Sequence, residues 1–233
     1  MADKTEGLSA RFQMVLNTIA AVGMIVASMA IISNSRAPGS DAPKRPSVDI
    51  PKEPIAVDDA TVSGARSARW VMIEYADFQC PACTRFARSV WPALQTKYVD
   101  SGQLAFAFKH LPLGIHEYAR GAARAADCAA KQGRFWELHG ILFGASPQLD
   151  EKELPRLAQM AGLNLTQFGT CSANADNNSV ARDEAEAKRL GLKTTPTFMF
   201  GRRNDAGTVD VRTVIQGTGS LEAFRKIIDS IVK

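Results

Sequence analysis

The stretch RWVMIEYADFQCPACTRF, residues 69–86, constrains the fold more than any other. Arg69–Ala76 is rich in β-formers and reads as a buried strand. After Cys80 the period changes. Phe86, Val90, Leu94 and Tyr98 recur every four residues, as on one face of a helix. Pro92 should kink that helix, because its ring clashes with the carbonyl of Arg88. Gln103–Leu111 is a second strand. The three elements make a βαβ unit, with Cys-Pro-Ala-Cys at the strand-to-helix junction.

A Cys-x-x-Cys pair can hold a metal, close a structural bridge, or cycle between dithiol and disulfide. A structural zinc site usually wants a second such pair or two nearby ligands, and the chain has no second Cys-x-x-Cys. His110, His116 and His139 lack metal-ligand spacing and read as surface or core-edge residues. A purely structural bridge over so short a loop removes little chain entropy. Redox exchange needs a thiolate, and a helix N-terminus favours one. Cys80 stands at that terminus and reads as the exposed nucleophile, with Cys83 one turn on as its partner. Pro81 suits the first turn, where no N–H is required. Glu74 shares a face of the apolar strand with Met72 and Ala76. A buried acid there needs a partner, such as Lys109 on the neighbouring strand, or a task, such as taking protons during exchange.

Further along, the chain from His116 to Gly133 is an alanine-rich helical stretch, followed by RFWELHGILFG. Asp150 and Glu153 read as a capping box for a helix ending near Gly162, and Val180–Leu190 as another closed by Gly191. A strand begins after Thr195-Pro196, turns at Asn204–Gly207 and returns as VDVRTVIQG. Leu221–Val232 is amphipathic. Cys128 and Cys171, the remaining cysteines, are expected to bridge each other, since alanines around Cys128 let another backbone approach. The bridge is expected to be structural, far from Cys80, and hard to reduce. The alternative is two free cysteines packed as small apolar residues.

The N-terminus adds a second constraint. Val15–Ser33 runs 19 residues without a charge, about the hydrocarbon thickness of a bilayer when helical. It reads as an uncleaved anchor within residues 13–33, a cleaved signal peptide being the alternative. Residues 1–12 form a short cytoplasmic tail, and residues 34–57, with five prolines, a spacer. The folded domain is placed at residues 58–233, with helices inserted over about 115–191. With 45% hydrophobic residues it can build a sizeable core. The net charge of +4 is mild and no basic run interleaves with aromatics, so nucleic-acid binding has no support.

Taken together, IEYADFQCPACTRF, FAFKHLPL, ADCAAKQGRFWELHGILF and TTPTFMFG resemble the bacterial DsbA-like thiol–disulfide oxidoreductases of the thioredoxin superfamily. The resemblance implies an α/β thioredoxin-like fold with a central helical insertion, here preceded by one transmembrane helix. It implies a nucleophilic Cys80, a resolving Cys83, a buried Glu74 near both, a cis Pro196 facing the cysteines and a substrate groove beside Thr195. The best-known strong oxidants of that family carry histidine where this chain has Ala82, which leaves the direction of exchange open. The expected protein is a single-pass bacterial inner-membrane oxidoreductase with its catalytic domain in the periplasm. It would act by mixed-disulfide exchange on cysteine-containing client proteins, with a membrane redox partner and no cofactor. The rival from another class is a tethered soft-metal protein holding Cu(I) on the same thiolates.

Overall fold

The computed structural model describes residues 48–146, 148–173 and 178–232. The expected tail and anchor, and most of the spacer, lie outside the described residues. Among the described residues no helix is long and apolar enough to cross a membrane.

The framework is a five-stranded sheet in the order β1-β3-β2-β4-β5. Its strands are β1 (Thr61–Ser63), β2 (Trp70–Ala76), β3 (Leu104–His110), β4 (Thr197–Arg203) and β5 (Val209–Gln216). Only β2 and β3 run parallel, and the chain between them provides the crossover. That crossover is α1 (Pro81–Ser89), a break at Val90, then α2 (Trp91–Leu94) passing into a π-helical turn over Gln95–Val99. Pro92 lies in the first turn of α2, so the expected kink takes the form of a helix restart. The four predicted face residues, Phe86, Val90, Leu94 and Tyr98, are all buried.

Between β3 and β4 lie α3 (Ala119–Ala130), α4 (Phe135–Ala145), α5 (Leu154–Met160), α6 (Leu165–Ala173) and α7 (Asn178–Arg189). Asp150 accepts a hydrogen bond from the Lys152 N–H at the start of a 3-10 turn that leads into α5. Gly191 closes α7 at φ +69°, a conformation side-chain-bearing residues rarely adopt. The last helix is α8 (Leu221–Ile231), capped by the Ser220 hydroxyl accepting from the Ala223 N–H.

Strand alternation sorts the core into two sides. Met72, Phe106, Phe198 and Phe200 meet α1, α2 and α8. Val71, Ile73, Tyr75, Ala105, Ala107 and Met199 pack on the other side, with Ala187 of α7. Ile55 and Val57 belong to that second side, and Ile55 pairs with Val209. The packed domain therefore starts before Asp58. The expected boundary followed the prolines and overlooked two apolar residues with a place in the core. Lys109 corrects another expectation. It lies opposite Tyr75 in the β2–β3 register, so it faces away from Glu74. Its ammonium lies 2.5 Å from Glu186 and 3.8 Å from Asp183, both on α7.

Candidate active site

Cys80 is the N-cap of α1 and Pro81 opens its first turn. The cap has extended geometry (φ −71°, ψ 121°), because the chain is leaving a strand as it enters the helix. No side chain caps this end, so the free N–H groups and the positive end of the helix dipole are directed at the cysteines. Both thiols are free. Cys80 is 7% exposed and Cys83 not at all, so the nucleophile expected to be exposed is instead largely covered. Part of the cover is Thr195, whose carbonyl accepts a hydrogen bond from the Cys80 thiol at 3.3 Å.

The two thiols differ in acidity. Cys80 is lowered to about 5, first by a hydrogen bond from Cys83 and then, against the cost of burial, by Thr195 and the backbone N–H groups of residues 82 and 83. Burial, then hydrogen bonding to Cys80, then the nearby Glu74 push Cys83 well up. Glu74 is 1% exposed and neither carboxyl oxygen has a partner. Burial raises its carboxyl well above the ordinary range, with the Cys80 charge adding to the rise. The structure thus brings Glu74 to the cysteines but not to Lys109.

Thr195-Pro196 is a cis peptide bond at the head of β4. The loop is fixed on both sides: Gln216 donates to the Thr194 hydroxyl at 3.1 Å, and the Gly217 N–H donates to the Pro196 carbonyl at 2.8 Å. Thr195 is 8% exposed, and its hydroxyl has no hydrogen-bond partner.

Three further residues hold the site and were not singled out from the sequence. Asp77, 1% exposed, accepts from the Gln79 and Leu113 N–H groups and lies 2.8 Å from the His116 ring. Gln79 accepts from the Tyr118 N–H at 2.6 Å. Together they bind the loop after β3 to the approach to Cys80. Thr218 donates to the Ala82 carbonyl, tying the β5–α8 loop to the dipeptide between the cysteines. Asp77 carried a readable signal, an acid at the end of an apolar strand three residues before Cys80. Thr218 carried none.

The histidines also depart from expectation. His116 is half-buried, whereas His110 and His139 are each 4% exposed. Phe78, Phe108, Phe135 and Phe143 surround the latter two, because α4 folds over the end of the sheet. Burial lowers His110 to about 4 and His139 to about 3, so both are neutral imidazoles. Among the described residues no group of three or more His, Cys, Asp or Glu side chains is arranged to hold a metal.

Cys128 and Cys171 are joined by a disulfide that ties α3 to α6 across 43 residues of chain.

A mixed sheet with a Cys-x-x-Cys at the helix following its central strand, facing a cis-proline loop, defines a thioredoxin-fold protein. The family model described as Thioredoxin matches residues 57–230, and the chain belongs to that family. The alpha-DsbA1 crystal structure from Wolbachia pipientis is 25% identical with a TM-score of 0.68, over 76% of this chain and 93% of that one. Oxidised BdbD from Bacillus subtilis is 21% identical with a TM-score of 0.66, over 79% and 98%. Curated relatives include the Na(+)/H(+) antiporter NhaA 3 of Salinispora tropica, 34% identical over 163 residues, which are 69% of this chain and 24% of the antiporter. The antiporter NhaA of Herminiimonas arsenicoxydans is 32% identical over 182 residues, 76% of this chain and 28% of the antiporter. The match therefore spans about a quarter of the length of these relatives.

Proposed function

We propose that the protein is a membrane-tethered, extracytoplasmic thiol–disulfide oxidoreductase that oxidises cysteines in client proteins. The carrying observation is the pairing of a Cys80 thiol lowered to about 5 with a buried, high-pKa Cys83 beside it. A client thiolate attacks Cys80 in the oxidised pair, and the electrons of the broken S–S bond pass to Cys83. Glu74, kept protonated by its burial, supplies the proton that makes Cys83 a thiol. A second client thiolate then attacks the client sulfur of the mixed disulfide and expels Cys80. Cys80 is a good leaving group because its thiolate is stable, and the same stability favours the reduced pair and so makes the oxidised pair an oxidant. A membrane redox partner returns the pair to the disulfide. The 19-residue apolar run at Val15–Ser33 supports the tether, and the alpha-DsbA1 and BdbD likeness supports the extracytoplasmic setting.

The test is trapping in cells. In Cys83→Ala the Cys80 thiolate can still attack a client disulfide, the reverse of the last step, and no Cys83 thiol is left to release the client. Mixed disulfides between Cys80 and clients are therefore expected to accumulate, seen as reducible bands on non-reducing gels. The Cys80→Ala variant is expected to show none. Equal trapping by both variants would remove the assignment.

A further inference from the structure

The Cys128–Cys171 disulfide is not sealed in the core. Cys128 is 1% exposed and packs in the same apolar cluster as Cys80 and Cys83, whereas Cys171 is only half-buried. Both half-cystines line an open pocket of about 520 Å³ between α3 and α6, together with Lys131, Gln132, Thr166 and Thr170. That volume is large enough for a small organic molecule. The Lys131 ammonium lies 3.8 Å from the Cys171 sulfur and 3.6 Å from the Asp127 carboxylate, and its side chain is 57% exposed. On the buried side, the Ser172 hydroxyl donates to the Cys128 sulfur at 3.9 Å.

We propose that this bridge is a second thiol-exchange site, which takes an anionic low-molecular-weight thiol. The pocket admits the thiol to Cys171 and the apolar cluster shields Cys128, so attack falls on Cys171. The incoming thiolate forms a new S–S bond to Cys171. The electrons of the Cys128–Cys171 bond pass to Cys128, whose emerging thiolate accepts the Ser172 hydrogen bond and then a proton from water. The net change consumes one small thiol and yields one mixed disulfide and one protein thiol, with no outside oxidant. Lys131 draws carboxylate-bearing thiols toward the pocket, by an attraction that added salt screens. Accessible disulfides are in general the more labile ones.

The probe is reduced glutathione, and the protein is the full chain carrying Cys80→Ser and Cys83→Ser, which isolates the second bridge. Peptide mass spectrometry is expected to find glutathione on Cys171 and a free thiol at Cys128. Lys131→Glu is expected to slow the adduct roughly threefold or more at low salt with glutathione, whose carboxylates add to the charge of the attacking thiolate, and to slow 2-mercaptoethanol, which carries the thiolate charge alone, by clearly less. A bridge that remains intact in millimolar glutathione under native conditions would overturn the proposal. So would an adduct on Cys128, or an equal effect of Lys131→Glu on both thiols.

Discussion

The Cys80 sulfur lies 3.3 Å from the carbonyl oxygen of Thr195, 115 residues along the chain. This contact joins the start of α1 to the loop that begins β4, and it places the buried Thr195 hydroxyl beside the sulfur. A hydroxyl can turn its proton to suit its neighbour. When Cys80 ionises, that hydroxyl becomes a donor to the thiolate and helps to lower its pKa to about 5. Thr195→Val therefore moves the Cys80 ionisation upward. The measurement is iodoacetamide alkylation against pH, where the rate at pH 5 is expected to fall roughly fivefold for the variant, from the loss of one charge-assisted hydrogen bond. An unchanged profile would show that the hydroxyl does not reach the thiolate.

Glu74 is a buried acid without a partner, so its removal separates function from stability. Its folded pKa is raised well above the ordinary carboxyl value of 4.5. The carboxyl therefore contributes most favourably below that pH, and its contribution is lost as pH rises. Glu74→Leu is expected to be the more stable protein at pH 8, by roughly 1–3 kcal/mol, with the gain shrinking near pH 4.5. Urea unfolding at the two pH values reads this directly. The same variant loses the proton donor for Cys83, so exchange with a dithiol peptide is expected to slow by about tenfold or more.

His110 and His139 make the fold sensitive to acid. Both have folded pKa values lowered from 6.5, so the unfolded chain binds protons that the folded chain does not. Their contribution to stability is present above pH 6.5 and is lost as pH falls toward about 4 and 3. Asp183, pushed up to about 7 chiefly by burial, acts in the opposite sense, losing stability as pH rises above the ordinary aspartate value of 3.8. Comparison with His139→Phe removes that shared background. Relative to its own value at pH 7.5, the wild type is expected to lose about 2 kcal/mol more than the variant by pH 5. Parallel pH profiles for the two proteins would contradict this.

Local pattern carried the framework. The strand at Arg69–Ala76, the four-residue period from Phe86 and the turn at Asn204–Gly207 each depend on neighbours in the chain, and the corresponding elements form. Pairing across the chain was harder to read. Glu74 and Lys109 look like partners until the register puts Lys109 opposite Tyr75, on the other face of the sheet. Ile55 and Val57 sit among prolines, and their burial depends on β5 and α7, far along the sequence. His110 and His139 appear scattered because the aromatic cluster that covers them comes from three separate segments, Phe78, Phe108 on β3, and Phe135 with Phe143 on α4. Neither β1, three residues long, nor α6 had a strong enough local period to be marked. At the site, Cys80, Cys83 and Glu74 were legible from chemistry. Thr195 and Pro196 came from resemblance, and Asp77, Gln79 and Thr218 required the structure.

The central claim is that stabilisation of the Cys80 thiolate makes the Cys80–Cys83 pair an oxidant. The most direct measurement is its equilibrium reduction potential, taken by titrating the full chain against glutathione redox buffers and quantifying both thiols by alkylation and mass spectrometry. A thiolate formed at about pH 5 favours the reduced pair at neutral pH. The expected potential is therefore more oxidising than about −200 mV. A value near the roughly −270 mV of a reducing thioredoxin, or a pair that forms no disulfide in oxidised glutathione, would contradict the account.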